Sequence, residues 1–252
     1  MGSGGAAPER EMSEVDDVLA TVRSIDGWMT DGQGRRLYTA AAACPASGRI
    51  VEIGSFRGRS TIVLASAVGD GVEVVAVDPH AGNDRGPQEI DGFGVEAATD
   101  RQVFEANLAA AGVADRVRHV ARFSDAAHGD VGDPIDVLYI DGAHRYRPAR
   151  ADVRDWGARV APGGVLLIHD SFSSVGVTLA IARELLFGAQ FRYVGRSRSL
   201  AEYRREPIDG AARLANVARQ LAQLPWFARN LAIKVALTLG AGKLLRRLQW
   251  PY

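Results

Sequence analysis

The stretch Val51-Glu-Ile-Gly-Ser-Phe-Arg-Gly-Arg-Ser-Thr61 decides how this chain folds. It closes a short β-branched run, Arg49–Ile53, and turns directly into a helical pattern that Ser60 and Thr61 open. Gly54 allows a sharp departure from the strand, and Gly58 allows a bulky group to approach the backbone. The spacing is G-x-x-x-G rather than the G-x-G-x-x-G of dinucleotide sites, which disfavours a dehydrogenase. Glu52 stands just inside the strand end, where its carboxylate would serve a pyrophosphate poorly and a cationic ligand well. Twenty residues past Gly58 a second run, 72–77, ends at Asp78, placed to accept hydrogen bonds from a ribose diol.

Outward from this unit, strands and helices alternate, the pattern of a parallel sheet built from βαβ units. Helices are predicted over 58–68, 100–111, 152–160 and 175–187. Further strands are predicted over 117–121, 135–140 and 165–169, the last after a Pro162-Gly163-Gly164 turn. Two closing strands, 191–196 and 199–204, are near enough in sequence for an antiparallel hairpin. Residues 1–45 read as a helical cap, 46–206 as the core and 207–252 as a helical extension. In open α/β sheets ligands bind at the carboxyl ends of strands, which here means the positions after Ile53, Val77, Ala121, Ile140 and Ile168.

Composition narrows the function. The chain has 252 residues, 47% hydrophobic and 24% charged, a globular balance. Zero net charge and the lack of a basic, aromatic stripe in the body argue against a nucleic-acid partner. A single cysteine, Cys44, excludes an internal disulfide and a cysteine-based zinc site. The polar opening residues lack a secretory core, so a cytoplasmic location is expected. The neutrality conceals an asymmetry: Asp209 is the last acid, so residues 210–252 carry +7 and the remainder −7.

The ordered segments 51–61, Val77-Asp-Pro79, Tyr139-Ile-Asp-Gly-Ala-His144 and Ala161-Pro-Gly-Gly-Val165 resemble bacterial class I S-adenosylmethionine-dependent methyltransferases, especially the macrocin- and cephalosporin-type O-methyltransferases. The resemblance runs from about residue 27 to 204. It implies a Rossmann-like, seven-stranded, mostly parallel sheet of order 3-2-1-4-5-7-6. It also implies a cofactor site of Glu52, Gly54, Ser55, Gly58, Ser60, Asp78 and Asp141, with Ser124 at the adenine. Gly27-Trp28 resembles a segment that covers the site.

The chemistry is expected after the fourth and fifth strands. A sulfonium methyl needs little activation, so the enzyme must orient the acceptor and remove its proton. Asp141 and Asp170, from adjacent strand ends, suit a hard divalent cation such as Mg2+, with Ser171 where metal-dependent relatives carry a third ligand. His144 is the expected general base. His119 and His169 are expected to be structural or packing residues. The long 80–94 loop and Arg145, Tyr146 and Arg147 could bind the acceptor, and analogy with relatives puts a sugar or oligosaccharide hydroxyl first. Carboxyl or amine methylation without metal, and a non-catalytic cofactor-binding partner subunit, are the alternatives.

The tail, 221–248, mixes apolar and basic residues without acids. It suits either an anionic membrane surface or packing on the acidic body or across a homodimer. Packing is favoured here, because Pro225 and Gly240 are expected to break the segment.

Overall fold

The computed structural model describes residues 6–81 and 93–238. Seven strands form one sheet in the order β3-β2-β1-β4-β5-β7-β6. They are β1 Arg49–Ile53, β2 Glu73–Val77, β3 Val117–Val120, β4 Ile135–Ile140, β5 Val160–Ile168, β6 Phe191–Ser197 and β7 Leu200–Arg205. Only β7 runs antiparallel to its neighbours, as the sequence order and the hairpin imply. The helices are α1 Ala6–Val22, α2 Asp31–Ala42, α3 Arg59–Ser66, α4 Phe93–Ala110, α5 Tyr146–Ala151, α6 Val175–Glu184, α7 Gly210–Leu221 and α8 Leu224–Thr238.

The central strands are near-continuous apolar runs because the sheet is covered on both faces. Alternation sends Ile50, Val74, Val137 and Leu167 into a layer with Leu37 of α2, Ile62 and Leu64 of α3 and Phe104 of α4. Val51, Val75, Leu138 and Leu166 enter the opposite layer with Trp156 and Ile181. A one-residue slip of β1 would exchange the layers and strand Glu52 on the wrong side. Among the described residues no helix is long and apolar enough to cross a membrane.

Three local expectations are corrected. The helix predicted over 152–160 is instead α5 running into a π-helical turn, Asp152–Trp156, and a 3-10 turn, Gly157–Arg159. The wider turn buries both Asp152 and Trp156. Pro162-Gly163-Gly164 lies inside β5, at a register shift against β4, rather than before the strand. Pro225 does not break the tail. It sits in the first turn of α8, where its missing N–H costs no hydrogen bond. Gly240 lies outside the described residues.

Candidate active site

The carboxyl ends of β1, β2 and β4 open onto a cavity of about 340 Å³. The turn after β1 forms its floor. Gly54 has φ +85, and a Cβ there would sit 2.5 Å from the Asp141 carbonyl oxygen, so only glycine lets the turn press against the end of β4. Asp78 organises this turn by accepting from the backbone N–H groups of Ser55 at 2.9 Å and Phe56 at 2.8 Å, and of His80 at 2.7 Å. A carboxylate offers about four acceptor sites, so one remains for a ligand. Ser55 is 2% exposed, lines the cavity, and its Oγ has no partner among the described residues. A buried hydroxyl of this kind is stable only where a ligand or water completes it.

Ser60, Ser124 and Asp141 also line the wall. Ser124 donates to Asp152 at 2.5 Å. Burial pushes the Asp152 carboxyl up to about 6 despite that hydrogen bond. Gly27 and Trp28 close another side: Arg59 donates to the Gly27 carbonyl at 3.0 Å, and the Trp28 ring lies 5.5 Å from that of Phe56.

Two residues expected at the cofactor are placed elsewhere. Glu52 is fully buried behind the wall, its carboxylate accepting from the hydroxyls of Ser60 and Thr61, and burial raises it to about 8. Those hydroxyls turn inward to the acid, and α3 starts from Gly58, which has no side chain with which to cap it. Gly58, at φ +86, does not line the cavity, and a Cβ there would meet the Phe104 ring at 3.1 Å. Sequence reasoning passed over Arg59 and Asp152, both in the wall. Arg59 was legible from its place beside Ser60. Asp152 was not, because an ordinary helix there gives no reason to turn it inward.

Beyond the end of β4, Asp141, His144 and Asp170 converge, with one ligand atom from each within 4.8 Å of the others. His144 Nε2 is hydrogen-bonded to Asp170, and its Nδ1 is buried without a partner among the described residues. Asp170 occupies the left-handed region at φ +55 and accepts from Ser173 at 3.0 Å. Burial alone would raise Asp170, but His144 and His169 hold it well below the usual carboxylate range. Asp141 accepts from the Tyr139 hydroxyl at 2.8 Å, and its other oxygen lies 3.2 Å from His169 Nδ1, an ion-pair contact rather than an aligned hydrogen bond. Burial works against charge on His169, yet Asp141 and Asp170 raise it to about 10.

The Ser171 hydroxyl, expected as a third ligand, donates to the Ile168 carbonyl at 2.8 Å, and the side chain that converges with Asp141 and Asp170 is that of His144. His144 does not line the large cavity. It lines a small adjoining void of about 10 Å³ with Asp141 and His169. Of the remaining histidines, His80 lines the large cavity and is bonded to the Phe56 carbonyl at 2.7 Å, His119 is bonded to the Asp78 carbonyl at 2.9 Å, and His128 is stacked on Trp156. Arg145 lines the cavity, whereas Tyr146 and Arg147 are exposed. Most of the loop expected to bind the acceptor, residues 82–92, lies outside the described residues.

Comparison with known proteins agrees with this architecture. Residues 51–171 match the family described as a methyltransferase domain. An uncharacterised protein, y4gI, of Sinorhizobium fredii is 31% identical over 126 residues; the match covers 49% of this chain but 13% of that protein, so the chain spans a small part of its relative's length. The O-methyltransferase NovP superposes with a TM-score of 0.59 at 17% identity, over 79% of this chain and 98% of its own. The O-methyltransferase TomG of Streptomyces achromogenes, in complex with S-adenosylmethionine, gives 0.50 at 18% identity, over 78% and 90%.

Proposed function

We propose that this chain, whose residues 51–171 match the methyltransferase-domain family, is a class I methyltransferase that transfers a methyl group from S-adenosylmethionine to a hydroxyl of a small molecule, a sugar or oligosaccharide first. The observation that carries this reading is the double position of Asp141. It belongs to the wall of the large cavity and to the Asp141–His144–Asp170 cluster, so a cofactor pocket and a proton acceptor adjoin.

S-adenosylmethionine, when bound, supplies an electrophilic methyl on a sulfonium. The free acceptor site of Asp78 suits its ribose diol, and Ser124 with Asp152 suits its base. The hydroxyl of Ser55 and the guanidinium of Arg59 suit the methionine end, with Ser60 in the wall beside them. Asp170 fixes the His144 ring through Nε2 and leaves Nδ1 to take the acceptor's proton. An imidazole can take up and release a proton in that position. A sugar is favoured because Trp28 and Phe56 offer aromatic surface at the cavity while Arg145 offers hydrogen-bond donors.

A divalent cation is a second reading, supported by the convergence of the three ligand atoms. The carboxylates of Asp141 and Asp170 would hold magnesium and lower the pKa of the acceptor hydroxyl. An imidazole ligand is more usual for softer ions, and a metal-bound nitrogen cannot also take a proton.

The test is a labelled-methyl screen of sugars, phenols, carboxylates, amines and lipid-linked saccharides, with magnesium or with chelator. A hydroxyl acceptor is expected, and His144→Ala should lower turnover by about 100-fold or more. Full turnover in that variant would remove the base, and chelator-resistant turnover would remove the metal. Exclusive methylation of carboxylates or amines would overturn the O-methyl reading.

A further inference from the structure

Helix α7 is amphipathic in the wrong direction for a free surface, and α8 carries apolar residues on both sides. α7 turns a polar face to the body, whereas α8 packs Trp226, Phe227 and Ile233 inward beside a buried Asn230. Asn216 is buried, accepting from the Tyr193 N–H at 2.7 Å and donating to the Phe191 carbonyl at 3.1 Å. Gln220 is buried against the Tyr203 hydroxyl at 3.3 Å, and Asn230 donates to the Phe172 carbonyl at 3.0 Å. The outward faces are apolar at helical spacing: Leu214 and Leu221 on α7 are 73% and 44% exposed, and Leu224, Leu231 and Val235 on α8 are 49%, 40% and 52% exposed. A surface helix normally shows the opposite arrangement, and contiguous exposed apolar faces mark an interaction site.

Charge identifies the occupant. Every side chain charged at neutral pH after Asp209 is basic, and Arg213, Arg219, Arg229 and Lys234 belong to these two helices. A two-fold contact with a second copy would set these like charges against each other without one carboxylate from either tail. An anionic lipid surface meets both features at once, taking the leucines into its headgroup–acyl boundary and being attracted by the net positive charge of the tail. We propose that the outward faces of α7 and α8 dock the protein on an anionic membrane surface. The proposal is independent of the reaction and its acceptor.

The test is co-sedimentation of the full chain with phosphatidylcholine vesicles containing about one-third phosphatidylglycerol, against phosphatidylcholine alone. Binding is expected to the anionic vesicles only, and to weaken as salt is raised. The triple variant Leu214→Gln, Leu221→Gln, Leu231→Gln should lose binding about tenfold or more, with an unchanged unfolding temperature because all three positions are exposed. Should it fail to fold, the pair Arg213→Gln, Arg219→Gln decides by the same measurement. Equal binding to both vesicle types, no binding, or full binding by the folded variants would overturn the proposal. So would a dimer that the leucine variant dissociates without any vesicle binding, which would give the face to a second copy.

Discussion

Asn230, near the middle of α8, donates from Nδ2 to the carbonyl oxygen of Phe172 at 3.0 Å, tying the C-terminal helix to the loop that presents Asp170. That loop holds two non-glycine residues in the left-handed region, Asp170 at φ +55 and Phe172 at φ +56. Such backbone persists only where its surroundings enforce it. Its other restraints include the Ser171 N–H on the Ser199 carbonyl at 2.9 Å and the Ser173 hydroxyl on Asp170. Asn230 is fully buried, so no water replaces it directly.

Asn230→Ala is therefore expected to cost about 2 kcal/mol in urea denaturation, since it leaves a buried carbonyl unpaired. It should also lower kcat more than it raises KM for S-adenosylmethionine, because Asp170 and not the cofactor wall loses its support. Equal losses of stability and no change in kcat would assign Asn230 to packing alone.

Glu52 gives a pH dependence of stability. Its folded pKa, about 8, lies above the ordinary 4.5, so the folded state retains a proton that the unfolded chain releases. Its contribution is complete below pH 4.5 and is lost as pH rises toward 8, with a slope of about 1.4 kcal/mol per pH unit inside that window. Glu52→Gln keeps the shape and cannot ionise. Chemical denaturation at intervals from pH 5 to pH 8.5 (about half-unit steps) should show the variant gaining on the wild type steadily as pH rises. A constant difference across the window would mean that Glu52 is already charged in the fold.

The sequence order of strands was legible because each strand has a β-branched run and a polar or glycine break. The cavity floor was legible because Gly54 and Asp78 sit at two strand ends. What sequence hid is which way a side chain turns once it reaches that floor. Glu52 sits two residues from Gly54, yet the inward hydroxyls of Ser60 and Thr61 seal it off. Ser171 is one residue from Asp170, yet its own local hydrogen bond to Ile168 takes it out of the cluster. Asp152 turns inward only through a π-helical turn that no periodicity announces. In the tail, Pro225 looked like a breaker because its place in the first turn of a helix depends on where that helix begins.

Gln33 connects the N-terminal helices to the same cluster. Its Oε1 accepts from the Thr30 N–H at 2.7 Å and closes the capping box of α2, while its Nε2 lies 3.0 Å from the Ser199 hydroxyl and 3.2 Å from His169 Nε2. An amide donor at that nitrogen works against the charged ring that Asp141 and Asp170 favour, because an imidazolium has no lone pair there to accept it. Gln33→Leu removes the cap and the donor together, at an expected cost of about 2–4 kcal/mol. Gln33→Glu keeps the cap acceptor and replaces the donor with a second acceptor. It should be more stable than the leucine variant and still shift the pH profile of kcat. An unchanged profile would remove Gln33 from the support of Asp141.

Ser55 separates ligand binding from folding. Its hydroxyl is buried in the cavity wall and bonds to nothing among the described residues, so it contributes little to the stability of the unliganded protein. Ser55→Ala removes a group that pays a desolvation cost, and its unfolding free energy should equal or slightly exceed that of the wild type. If the cavity takes S-adenosylmethionine, the same hydroxyl gains its partner in the complex, and its loss should weaken binding about fivefold, the effect of one neutral hydrogen bond. Titration calorimetry with S-adenosylmethionine, set beside urea denaturation without it, reads both quantities. A destabilised variant with unaltered affinity would place the hydroxyl's partner within the protein and its role outside cofactor recognition.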